Sequence, residues 1–95
     1  MLQKITLSKA INVNGKETKD STMDFSKLTG RDLSQAEAQV RAAGVATPML
    51  NFSNEYQATI AAKVLGVKED DVLDMPATDY MKVVNSVLSF LTIPE

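Results

Sequence analysis

The sequence predicts an α+β domain: an N-terminal β-hairpin followed by three main α-helices and a short helical turn. Three observations carry this. Apolar and polar residues alternate from Lys4 to Val13 and run into Asn14-Gly15, a strong hairpin turn signal. Beyond Leu28 the apolar residues recur at spacings of three and four. Gly44 and Gly66 fall where those helical patterns stop. The 95 residues fit one domain spanning residues 1–95.

The hairpin is expected over about residues 4–25. Ile5, Leu7, Ile11 and Val13 alternate with Thr6, Ser8, Ala10 and Asn12. A two-residue turn would pair Ile5 with Asp24 and set Met23 and Phe25 on the face opposite Ile5. A three-residue loop, Val13-Asn14-Gly15 with Gly15 left-handed, would pair Ile5 with Met23 and Gln3 with Phe25. The second register groups the apolar side chains on one face and is preferred on that ground. The polar run Lys16 to Asp20 places the hairpin tip in solvent.

The first helix is expected over about residues 30–43. Thr29 with Asp32 makes a capping box in which Asp replaces the usual Glu. Leu28 and Leu33 have the spacing of a hydrophobic staple, and Leu33, Ala36, Val40 and Ala43 form the apolar stripe. The segment Val45-Ala46-Thr47-Pro48-Met49-Leu50-Asn51-Phe52 is unusually apolar for a connection. It either tucks Leu50 and Phe52 under the helices or offers an exposed contact site. Ser53 caps the second helix, about residues 54–65, with Tyr56, Ile60, Ala61, Val64 and Leu65 turned inward. A short helix is expected over Lys68 to Asp74. The last helix covers about residues 76–91, with Ala77, Tyr80, Met81, Val84, Val87, Leu88 and Leu91 as its core stripe. Val83, Phe90 and Ile93 lie off that line, and an apolar second face suggests an additional packing partner.

Composition removes whole classes of function. The chain has no Cys and no His, hence no disulfide framework, thiol nucleophile, imidazole base or zinc site of those residues. No glycine-rich phosphate motif occurs. Ten basic residues against twelve acidic leave a net charge of −2, too weak a field to hold nucleic acid. Residues 1–48 carry seven basic and five acidic side chains, and residues 49–95 carry three and seven, so unlike halves favour head-to-tail association. The opening Met1-Leu2-Gln3-Lys4 has no apolar signal region, no stretch is long enough to span a membrane, and a cytoplasmic location is expected. The cluster Glu69-Asp70-Asp71 with Asp74 reads as a solvated helix start rather than a cation site. No cofactor, metal or catalytic residue is assigned, and the chain is read as a non-enzyme. Surplus apolar residues instead nominate a partner-binding set: Met49, Leu50, Phe52, Val83, Phe90 and Ile93. Met49, Met75 and Met81 could add an adaptable surface.

The run Ile5-Thr6-Leu7-Ser8-Lys9-Ala10-Ile11-Asn12-Val13-Asn14-Gly15-Lys16-Glu17 resembles the opening hairpin of the tail assembly chaperones of Mu-like and P2-like contractile phages. Leu28-Thr29-Gly30-Arg31-Asp32-Leu33 is similar to that family's step into its first helix. Glu55-Tyr56-Gln57-Ala58, Ala61-Ala62-Lys63, Gly66-Val67 and Asp71 through Tyr80 resemble its second half, and Val87-Leu88-Ser89-Phe90-Leu91 its closing helix. The resemblance covers nearly the whole chain in order. It implies a non-enzymatic role: binding the tape measure protein in the host cytoplasm, keeping its helical segments soluble, and leaving as tail tube protein polymerises. It also implies absence from the finished virion, self-association into homo-oligomers, and in related genes a frameshifted longer product that recruits tube protein. The rival expectation is a small structural tail component present in the virion.

Overall fold

The computed structural model describes residues 2–92, with the side chains of Leu2 and Asn51 left aside. Strand β1, Leu2–Val13, pairs antiparallel with β2, Lys16–Asp24. Four helices follow: α1 Gly30–Ala42, α2 Asn54–Leu65, α3 Glu69–Leu73 and α4 Ala77–Leu91. Short 3-10 turns at Phe25–Lys27 and Leu50–Phe52 join them. This is the α+β order expected.

The helix ends follow their caps. The Thr29 hydroxyl accepts the Asp32 amide at 3.2 Å, and the Asp32 carboxylate accepts the Thr29 amide at 3.0 Å, closing the capping box. After α1 the Val45 amide reaches the Val40 carbonyl at 3.1 Å and the Gly44 amide reaches Arg41 at 3.0 Å. That Schellman turn requires Gly44 at φ 99°, a conformation that other residues resist. Helix α2 is buried on nearly every side, from Tyr56 to Ala62, and packs against α1, α3, α4 and β2. Its small residues Ala58, Ala61 and Ala62 let those neighbours approach closely.

The hairpin departs from the expected register. Val13 pairs with Lys16, so the turn has two residues, and both Asn14 (φ 54°) and Gly15 (φ 83°) are left-handed. Asn and Gly are the residues that tolerate this, and the Asn12 carboxamide oxygen braces the turn by accepting the Gly15 amide at 2.8 Å. Farther down, Gln3 pairs with Met23 and Ile5 with Ser21, while Phe25 has already left the strand. Between the two registers β1 leaves four residues, Leu7–Ala10, facing only Lys19 of β2. An odd number of extra residues reverses which faces match. The bulge therefore achieves what the three-residue loop was expected to do, and Ile5 and Met23 share the buried face.

A bulge of this size strips the ladder from several backbone groups, and α4 takes them up. The Asp79 carboxylate accepts the Ser8 amide at 2.9 and 3.1 Å, the Lys9 amide at 3.1 Å and the Ser8 hydroxyl at 3.1 Å. Asp79 has no exposed surface. Lys82, one turn later, donates its ammonium to the Thr6 carbonyl at 2.9 Å. The amide of Ser8 does most to hold the Asp79 carboxyl below the usual carboxylate range, outweighing the upward push of burial; Lys9, the Ser8 hydroxyl and Lys82 act in the same downward direction.

This clamp sets which side of α4 is buried. Val83, Val84 and Val87 are core residues, whereas Met81, placed in the expected core stripe, is 45% exposed. The additional partner implied by the helix's second apolar face is the protein's own hairpin, since β1 packs on α4. Phe90 completes that contact by stacking on Phe25, with ring centroids 4.7 Å apart and planes 9° from parallel.

Asp79 has a lower pKa folded than unfolded, so its contribution is complete above the ordinary carboxylate range and is lost as pH falls through the lower folded value. Asp79→Asn is expected to melt at lower temperature than wild type at neutral pH. On acidification below about pH 4 the gap between the two should narrow, because the wild type then loses the same charge. Thermal melts across that range check both.

Candidate protein-contact surface

The apolar segment between α1 and α2 divides its side chains. Pro48 interrupts regular structure, and the Thr47 hydroxyl accepts the Met49 amide at 3.1 Å, turning the chain into the 3-10 turn. There the Phe52 amide bonds the Met49 carbonyl at 3.0 Å and the Ser53 amide bonds Leu50 at 2.9 Å. Side chains three residues apart lie on the same side of such a turn. Met49 and Phe52 therefore point out together, at 59% and 57% exposure, while Leu50 points in at 9%.

Met49 and Phe52 form a ridge between two open grooves of about 410 and 320 Å³. Val45, Thr47 and Glu55 line one; Glu37, Arg41 and Tyr56 line the other. Arg41 pairs with Glu37 at 3.6 Å, one turn apart on α1. Burial, with the Glu37 charge adding to it, pushes the Tyr56 phenol up. An apolar ridge with charged flanks has the anatomy of a protein-contact patch.

The remaining nominated residues lie elsewhere. Val83 is fully buried and Leu50 nearly so, and both belong to the core. Phe90 is half-buried against Phe25. Ile93 lies outside the described residues. Met75, expected to add adaptable surface, is buried at 7%. The structure thus brings only Met49 and Phe52 together at the surface. Leu73 and Met81 are the other large exposed apolar side chains among the described residues.

Two members of the acidic cluster, Glu69 and Asp71, have structural partners. Glu69 accepts the Thr59 hydroxyl at 2.6 Å and the Gln39 side-chain Nε2 at 3.4 Å, bridging α3 to α2 and α1. Asp71 accepts the Lys68 amide at 3.2 Å and caps α3. Among the described residues no group of three or more acidic side chains is placed to hold a metal ion. The clamp residue Asp79 was not singled out from composition or spacing. Its signal was position: it stands four residues before Val83, on the apolar side of α4.

The family model for phage tail assembly chaperone proteins, E, or 41 or 14, matches residues 4–92. The chain belongs to the phage tail assembly chaperone family. The match begins in β1, ends just beyond α4, and includes both the clamp and the ridge. Membership in this chaperone family supports a role in tail assembly and suggests interaction with tail proteins. No curated protein and no solved structure matches the chain. No helix among the described residues of this chaperone-family chain is long and apolar enough to cross a membrane.

Placement separates fold residues from surface residues, and denaturation can check it. Phe90→Ala should lower stability by about 2 kcal/mol, less than the 3–5 kcal/mol typical of fully buried Phe, because one side of the ring is open. Phe52→Ser should change stability by no more than about 0.5 kcal/mol.

Proposed function

We propose that the chain acts without catalysis as a tail assembly chaperone of a Mu-like or P2-like phage and binds the tape measure protein. Family membership over residues 4–92 supports the class of role, and the Met49–Phe52 ridge is the observation that carries the contact. A long tape measure protein presents amphipathic helices. An aromatic anchor beside a flexible thioether, flanked by charge, suits such a helix without demanding one sequence. A shallow, open surface fits transient holding better than permanent assembly. In this reading the chaperone works in the host cytoplasm, releases its client as tail tube protein polymerises, and is missing from the finished virion. A longer frameshifted form would bring the tube protein to the complex.

Co-expression with the tape measure protein of the same phage should yield a soluble complex. Phe52→Ser should weaken that complex by roughly tenfold or more, as loss of an aromatic hot spot does, with the melting temperature unchanged. Failure of wild type to bind would overturn the function. Undiminished binding by the variant would overturn the ridge as its site. Mass spectrometry of purified particles should find no stoichiometric copy of the chain; many copies per tail would make it a structural component instead.

A further inference from the structure

The hairpin has two edges, and they differ. α4 occupies the β1 edge, where Asp79 and Lys82 take up the backbone groups of Ser8, Lys9 and Thr6. The sheet has two strands, so β2 carries the other edge. An open strand edge is a template for another strand. We propose that β2 pairs antiparallel with β2 of a second copy about a two-fold axis through Thr18, joining two hairpins into a four-stranded sheet.

The charge pattern of the strand specifies this occupant and this register. Lys16-Glu17-Thr18-Lys19-Asp20 changes sign about its centre. With Thr18 opposite Thr18 of the second copy, Glu17 meets Lys19 of the second copy and Lys16 meets Asp20 of the second copy. Symmetry repeats both pairs, and all four charges of the segment are matched. Each pair lies on one face of the sheet, as direct opposition requires. The register also suits the backbone. Val13 and Lys16 close the two-residue turn, so alternation along the ladder turns Thr18 toward Ile11 and the amides of Glu17 and Lys19 outward. Glu17 and Lys19 are the residues that this register sets opposite each other as a hydrogen-bonded pair.

The surface is available for it. Lys16, Glu17, Lys19 and Asp20 are exposed, and among the described residues none of the four is in an ion pair within its own chain. Thr6 donates its hydroxyl to Asp20 at 3.0 Å, which orients that carboxylate on the sheet face where Lys16 of the second copy arrives. Thr18 lies three residues beyond Gly15. This pairing rests on the hairpin alone and not on tape measure binding.

Sedimentation equilibrium of the full chain tests it, with circular dichroism to confirm folding. Wild type should form dimers that weaken as salt is raised. Lys19→Glu places like charges opposite each other twice and should raise the dimer dissociation constant by about tenfold or more. Adding Glu17→Lys to that variant exchanges the two charges and should restore the wild-type value. A wild type that stays monomeric at every concentration overturns the proposal. So does a Lys19→Glu variant that dimerises like wild type, or a double variant that fails to recover.

Discussion

The fold depends on one buried carboxylate. Asp79, in the first turn of α4, replaces the strand partner that the Ser8 and Lys9 amides lose at the bulge. An unpartnered buried charge is expensive, and Asp79 is fully buried; the amides of the exposed residues Ser8 and Lys9 satisfy it. The bulge then becomes tolerable, and with it the change of register that puts Ile5, Leu7 and Met23 into the core. The same contact sets the roll of α4, turning Val83 inward and bringing Phe90 over Phe25. Strand pairing, helix orientation and aromatic stacking are thus consequences of a contact between residues some 70 positions apart.

That separation explains what was legible beforehand. Signals that act within a few residues were readable: the Thr29–Asp32 box, the Ser53 cap, and Gly44 and Gly66 at helix ends. α2 has the expected bounds, Asn54–Leu65, and α1 and α4 differ from the expected ranges by one residue. The need for an even pairing of apolar faces in the hairpin was readable too. The device that meets it was not, because a bulge of this size exists only with α4 in place to supply its hydrogen bonds. Periodicity likewise showed that α4 is apolar over a wide arc without showing the centre of that arc. Val83 and Met81 exchanged places because Asp79, not the sum of apolar residues, sets that centre.

The candidate surface follows the same division. The sequence places an apolar segment at Met49–Phe52 but leaves open which side chains turn outward. The three-residue period of the short turn decides it, sending Met49 and Phe52 to solvent and Leu50 inward. A firmly held domain then presents a small adaptable ridge at one site and an open strand edge at another. The first is the proposed client contact and the second the proposed seam between two copies. Membership in the tail assembly chaperone family sets both proposals within tail assembly.

Amide hydrogen exchange at Ser8 and Lys9 tests the central claim most directly. Bulge amides facing water exchange within a small factor of free peptides. If Asp79 holds them, both should be protected nearly as well as the core amides of α2, and Asp79→Asn should selectively reduce that protection. Fast exchange at Ser8 and Lys9 in the wild-type protein, with α2 still protected, would contradict the account.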